Sequence, residues 1–162
     1  MSEKLIKYLL PYKFKYVAYI SLLIGFVFYI IRFTFGIKLS LFDCTVFAIY
    51  SDFFQKKSFT FIQNNLSEEI IVFFFILGVN LLALTQEKIE YVAYYKIRVD
   101  SFLLAIIINS IFLIISTFTV FGLAFIWVMS ISLISLPLIY TIIFKIKLHF
   151  FLRSQQDDRH NK

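Results

Sequence analysis

A chain of 162 residues that is 60% hydrophobic is not an ordinary soluble domain, because a domain of that length leaves much of its surface in water. The net charge of +6 does not indicate nucleic-acid binding, since no basic run is longer than Lys56 with Lys57 and the basic residues flank apolar stretches. Cys44 is the only cysteine, which excludes an intramolecular disulfide and a cysteine-based metal site but leaves a disulfide between two chains open.

Long apolar stretches occupy residues 16–31, 70–84, 102–117 and 120–144. A hydrocarbon core is about 30 Å thick and takes about 20 apolar residues as a helix. The chain is therefore predicted to be an all-α integral membrane protein with four transmembrane helices. It forms a single membrane domain over residues 1–162, which leaves no room for a separate soluble catalytic domain.

The segments at the start of the chain are predicted to remain in the mature protein. Residues 1–15 carry apolar and basic residues at helical spacing, which favours an interfacial N-terminal segment. The first apolar stretch is followed by Arg32 and by no small-residue cleavage site, so it is expected to be retained as a span.

The connection over residues 33–67 is predicted to be extracytoplasmic. Residues 46–54 and 58–64 are rich in β-branched and aromatic side chains, and a polar turn over 55–57 separates them. This pattern predicts a small β-hairpin between helices 1 and 2. An isolated hairpin is marginal in water, so it is expected to lie against the membrane surface, the helix ends or a partner.

The third span is predicted to be the longest helix. Residues 87–118 contain neither proline nor glycine and are interpreted as one helix whose first part, 86–100, protrudes as a cytoplasmic helical extension. A tight turn over 117–120 then makes the third and fourth spans an antiparallel hairpin. Pro137 is expected to kink the fourth span, and the polar tail over 154–162 is expected to be disordered.

The distribution of basic residues predicts the orientation. With four spans, twelve of the sixteen lysines and arginines fall on the side of the two termini. The positive-inside rule therefore places both termini of a multi-pass protein in the cytoplasm.

Ionisable residues are absent from the centres of the predicted spans, where catalytic or proton-carrying groups would be expected. The polar residues there are interpreted either as interhelical hydrogen-bonding groups or as the lining of a polar pathway. The intramembrane polar contacts predicted in this way are Asn80, Asn109, Ser132 and Ser135.

The densest ionisable cluster precedes the third span and contains Glu87, Glu90, Tyr94, Arg98 and Asp100. It is interpreted either as a solvated helix entry with interface anchors or as a docking surface for a cytosolic partner. Motifs of metalloproteases, serine hydrolases and phosphate-binding loops are absent from the sequence, so no catalytic residue, metal site or cofactor is predicted.

Several motifs give the chain a resemblance to an uncharacterised family of small four-transmembrane-helix membrane proteins from Bacteroidota. The matching segments are Leu10-Pro11-Tyr12-Lys13-Phe14-Lys15, Val46-Phe47-Ala48-Ile49-Tyr50, Asn64-Asn65-Leu66-Ser67-Glu68-Glu69, and Glu87-Lys88 with Glu90, Ile97-Arg98 and Ser101. The family tends to carry further acidic residues where this chain has Tyr91 and Val92, and asparagine near Ser132. The resemblance implies the four-span topology and a bacterial inner membrane as the location. Genes of similar proteins often lie beside those of helix-turn-helix regulators, which favours signalling.

The leading hypothesis is a non-enzymatic sensor or regulatory protein that couples the extracytoplasmic hairpin to the cytoplasmic docking surface. A transport or channel subunit built around the predicted polar contacts is one alternative, and a structural component of an envelope complex is another. The expected partners are the lipid bilayer and either further copies of the chain or a larger membrane complex, without nucleic acid.

Overall fold

The computed structural model describes residues 9–51 and 57–160, and the predicted interfacial segment lies mostly outside these residues. The described part of the chain is mostly helical. Its elements are α1 (Phe14–Tyr29), β1 (Asp43–Ser51), β2 (Lys57–Asn65), α2 (Ser67–Leu84), α3 (Tyr94–Thr119) and α4 (Leu123–His160). A short π-helical segment, Ile30–Thr34, continues α1.

Four helices are long and apolar enough to cross a bilayer, which confirms the predicted number of candidate spans. These spans are Phe14–Thr34, Ser67–Leu84, Tyr94–Thr119 and Ala124–Gln156. Helices suit such sequences because each backbone amide and carbonyl finds its partner within the same segment. The two-stranded hairpin between α1 and α2 is also confirmed.

The chain divides into two compact units, one formed by Met1–Ile20 with Ile76–Lys162 and the other by Ser21–Phe75. In the second unit, β1 and β2 pair antiparallel from Asp43 opposite Asn65 to Ser51 opposite Lys57. The first strand starts three residues earlier than predicted, and most of the predicted turn lies outside the described residues.

Glycine allows α1 and α2 to approach closely within this second unit. A Cβ atom at Gly25 would lie 3.1 Å from the Cβ of Phe74 and 3.7 Å from the carbonyl oxygen of Ile71. The Ser21 hydroxyl donates to the carbonyl oxygen of Phe74 at 2.9 Å. Small residues at such contacts let helix backbones pack without a large side chain between them.

In the first unit, α3 and α4 form the predicted antiparallel hairpin. They are joined by three residues, 120–122, and Gly122 takes the left-handed conformation with φ of +68° that glycine adopts readily. Ala105 is fully buried within the apolar core of this unit, which also contains Tyr94, Tyr140, Phe144 and Leu148.

The structure corrects two predicted helix boundaries. α3 begins at Tyr94 and not at Glu87, because the preceding segment pairs with Leu10 near the N-terminus. The amide of Leu10 donates to the Leu84 carbonyl, and the amide of Gln86 donates to the Leu10 carbonyl, both at 2.9 Å. α4 continues through His160, into the tail that was predicted to be disordered. Glutamine and arginine favour helix there, and neither glycine nor proline interrupts the segment.

Candidate functional site

The non-helical connection over residues 85–93 joins α2 to α3 and carries two carboxylates that face inward. We call the group formed by these carboxylates and their cationic partners the ionic cluster; its members are Lys15, Glu87, Glu90, Arg98 and Lys145. The members come from α1, the connection, α3 and α4, and all belong to the first compact unit.

Glu87 is held between two lysines. Its Oε2 accepts a hydrogen bond from Lys15 Nζ at 2.6 Å and its Oε1 accepts one from Lys145 Nζ at 2.7 Å. The side chains of Lys15 and Glu87 are 8% and 15% exposed, whereas that of Lys145 is 46% exposed. Water therefore screens the Lys145 pair far more than the Lys15 pair.

Glu90 and Arg98 form the second half of the ionic cluster. Arg98 Nε donates to Glu90 Oε1 at 2.9 Å and Nη2 donates to Oε2 at 3.1 Å, which gives a bidentate pair with exposed fractions of only 9% and 8%. Arg98 also donates to the Tyr140 hydroxyl at 3.1 Å and to the Thr85 carbonyl at 3.2 Å. Its guanidinium carbon lies 4.2 Å from the ring centroid of Phe144, a cation–π contact.

The backbone joins the two halves, because the amide of Glu87 donates to Oε2 of Glu90 at 2.7 Å. This bond satisfies a backbone donor that would otherwise need a helical or solvent partner. Glu90 thus fixes both the start of the connection and the position of Arg98. The cluster replaces the regular helix that the sequence predicted over these residues.

The ionic cluster should make the stability of the protein depend on pH in the acid range. Burial by itself raises the pKa of Glu87, but the hydrogen bonds and charges of Lys145 and Lys15 outweigh it and hold the pKa below its ordinary value. A carboxyl whose folded-state pKa is lowered adds stability above its unfolded-state pKa, about 4.3, and loses that contribution as the pH falls through the folded-state pKa.

We therefore expect the free energy of unfolding in detergent micelles to decrease below about pH 4.3 more steeply in the wild type than in Glu87→Gln, which has no carboxyl to titrate at this position. Denaturant titrations between pH 3 and pH 7, followed by circular dichroism, measure this difference. Equal pH dependence in the two proteins would contradict the assignment.

The structure brings together most of the predicted docking residues but turns them inward. Glu87, Glu90, Tyr94 and Arg98 lie in or beside the ionic cluster, while Asp100 is exposed and apart from it. Tyr94 packs edge-on against Phe151 with ring centroids 6.2 Å apart. Of the five, Asp100 alone carries an exposed charge.

Three participants were not predicted. Lys15 and Lys145 were interpreted as basic flanks of the spans, and their pairing with Glu87 joins residues 72 and 58 positions apart. Tyr140 lies inside an apolar stretch and gave no signal of its own. Only the location of basic residues at the ends of the apolar stretches hinted that charges from different helices would lie at the same depth.

The predicted intramembrane polar residues separate into two groups. The Asn109 amide donates to the Ser132 hydroxyl at 3.1 Å and accepts from the Ser135 hydroxyl at 2.6 Å, which links α3 to α4. Asn80 instead donates to the Ile76 carbonyl of its own helix at 2.8 Å and lines a cavity beside Arg98.

A separate polar arrangement closes the base of the hairpin in the second unit. The Asn65 amide donates to the Leu39 carbonyl at 3.0 Å and to Oδ1 of Asp43 at 2.6 Å. Its own Oδ1 accepts from the amide of Ser67 at 3.1 Å and from the Ser67 hydroxyl, which caps the start of α2. Asn65 therefore ties the hairpin to the helix that follows it.

We expect Asn65→Ala to lower the free energy of local unfolding of the hairpin by about 1–2 kcal/mol, since it removes a helix cap together with the bonds to Leu39 and Asp43. Hydrogen exchange at residues 43–51 and 57–65 should become faster by roughly five- to thirtyfold. Asn64→Ala is the matched control, because the Asn64 amide makes only a long 3.4 Å contact to Glu69. Equal exchange rates in the two variants would contradict the role of Asn65.

The described residues form a mostly helical protein with a small hairpin and four helices long and apolar enough to span a membrane, which suggests a multi-pass membrane protein. No protein-family model matches the chain, and neither the curated proteins nor the solved structures gave a match.

Proposed function

We propose that this chain is a non-enzymatic sensor or regulatory protein of a bacterial inner membrane, with both termini in the cytoplasm. The resemblance to the Bacteroidota family and the basic residues on the side of the termini support the bacterial setting and the orientation. In this proposal the ionic cluster is a latch. It holds the connection over 85–93 in one arrangement, and a signal releases it.

The observation that carries the proposal is the burial of Lys15, Glu90 and Arg98 with their partners. Removing charges from water is expensive, and apolar side chains of similar volume often stabilise a protein equally well or better. A cluster retained at that cost is explained by a requirement for one specific arrangement or for switching between two. The connection it holds is not a regular helix, and these ion pairs act together with backbone bonds to Leu10 in fixing its position.

The hairpin has a place in the proposal as the part that meets an external signal. One face of it carries exposed apolar side chains, among them Phe47, Ile49, Phe59 and Phe61. Both α1 and α2 contain residues of each compact unit, so a change at the hairpin has two continuous helices along which to travel. The inward-facing carboxylates favour a cytoplasmic response through movement of the connection over direct docking on them.

Allele replacement in the source bacterium, followed by transcript profiling, tests the proposal. Glu87→Gln should open the latch and change the expression of a defined set of genes, and deletion of the gene should affect the same set. Glu68→Gln is the matched control, because Glu68 forms a 2.7 Å pair with Arg32 in the other unit but is 51% exposed.

Wild-type transcripts in both Glu87→Gln and the deletion would contradict a regulatory role. Solute flux through proteoliposomes that Asn80→Leu abolishes would support the transport alternative instead. The bonding of Asn109 to Ser132 and Ser135 disfavours that alternative, since these groups satisfy one another and not a permeating solute.

A further inference from the structure

A cavity of about 310 Å³ lies beside Arg98 within the first compact unit. Residues of α2, α3, α4 and the connection line it, and most of its lining is apolar. Its volume lies at the lower end of the roughly 300–1,000 Å³ of ligand pockets. It therefore has room for one hydrocarbon chain or one ring system, and not for a complete bilayer lipid.

The cavity is reached from the side of the helices. Leu84, Phe102 and Leu103 belong to its wall and are each about half exposed. These residues lie in helices that are candidate membrane spans, so a hydrocarbon phase is the medium they face. An occupant would accordingly enter from the bilayer, which selects lipophilic molecules over water-soluble ones.

The hydroxyl group of Tyr140 provides a hydrogen-bond donor at the polar end of the cavity. The Tyr140 side chain is buried, and its hydroxyl oxygen accepts from Arg98 Nη1. Among the residues that the structure describes, none accepts the proton of this hydroxyl. A buried donor without an acceptor is unfavourable by about 1–3 kcal/mol, and an acceptor atom on a ligand removes that penalty.

The charges around the cavity determine which acceptor fits. Glu90 neutralises Arg98 through two hydrogen bonds, so this end of the cavity carries no net charge. An anionic ligand would have to displace Glu90 or sit beside its carboxylate. A neutral oxygen, such as that of a ketone, ester or alcohol, accepts from Tyr140 without disturbing the pair.

We infer that this cavity binds a neutral lipophilic molecule whose carbonyl or hydroxyl oxygen accepts a hydrogen bond from Tyr140. Such a ligand would contact Arg98 and Glu90, which belong to the ionic cluster. That its binding acts as a signal to this cluster rests on the proposed function. The binding itself does not, because it is measured on purified protein without any cellular response.

Photoaffinity labelling tests this inference on the full chain in phosphatidylcholine nanodiscs. The probe is a long-chain alkyl ketone that carries a diazirine, compared with a carboxylate and a plain hydrocarbon of equal chain length. The ketone should label peptides containing residues 95–103 and 136–140 more strongly than either comparison probe. Tyr140→Phe removes only the hydroxyl and should reduce ketone labelling about three- to tenfold.

Leu103→Trp should abolish labelling by filling the cavity from its partly exposed wall, without removing any group of the ionic cluster. Leu133→Trp is the matched control, because Leu133 is exposed on α4 and does not line the cavity. Equal labelling by the hydrocarbon, stronger labelling by the carboxylate, or unchanged labelling in Tyr140→Phe would each overturn the inference. A silent transcript profile with positive labelling would leave the ligand site standing and remove only the regulatory proposal.

Discussion

Replacing Glu87 by alanine should lower the free energy of unfolding by about 3–5 kcal/mol, since it leaves the buried ammonium group of Lys15 without a partner. This penalty greatly exceeds that of an exposed ion pair, which is about 0.2–1 kcal/mol. Titration with a denaturing detergent, followed by circular dichroism and by the fluorescence of Trp127, the only tryptophan, measures the loss.

Variants of the two lysines that pair with Glu87 should differ in how much stability they lose. Lys145→Met should lose less than about 1 kcal/mol because Lys145 is half exposed and Lys15 still pairs with Glu87. The double variant Lys15→Met with Glu87→Ala should recover stability relative to Glu87→Ala alone, since no unpaired buried lysine remains. Glu68→Ala is the matched control and should lose less than about 1 kcal/mol. Similar losses for Glu87→Ala and Glu68→Ala would contradict the account.

Arg98→Met is expected to destabilise the protein by a similar amount, about 3–5 kcal/mol, because it leaves the Glu90 carboxylate buried without its cation. Arg98→Lys should lose about 2 kcal/mol although the charge is kept. A lysine cannot reproduce the bidentate pair or reach the Tyr140 hydroxyl and the Thr85 carbonyl at the same time. The same detergent titration measures both variants.

The control for this series is Lys96→Met, an exposed position on α3 two residues before Arg98, which should change stability by no more than about 0.5 kcal/mol. Arg98→Met combined with Glu90→Gln should be more stable than Arg98→Met alone. A lysine variant as stable as the wild type would show that the geometry of the guanidinium group does not matter at this position.

Local sequence patterns were sufficient to predict four helices long and apolar enough to span a membrane, together with the hairpin. The apolar stretch over residues 70–84 became α2 with three further residues at its start, where the Asn65 side chain accepts from the amide of Ser67. The β-branched and aromatic pattern located the hairpin, because alternation and turn residues are local signals. The apolar helices and the hairpin are both determined mainly by neighbours in sequence, which a local pattern records. Both predictions are confirmed.

The connection over residues 85–93 could not be predicted in the same way. Local propensity favoured helix there, and the segment is instead held by backbone bonds to Leu10 and by ion pairs to Lys15 and Lys145. These partners are distant in sequence, and their energies exceed the few tenths of a kcal/mol by which helix propensity differs among ordinary residues. Tertiary contacts therefore decide the structure of this segment and, with it, of the candidate site.

The turn at Gly122 has a consequence for how the protein is made. Only residues 120–122 separate α3 from α4, and none of the three carries a charge. In the proposed membrane setting this helical pair would insert in a single step during synthesis, since no hydrophilic loop would have to be translocated. The membrane potential would then exert no net force on the uncharged turn as it crosses the bilayer.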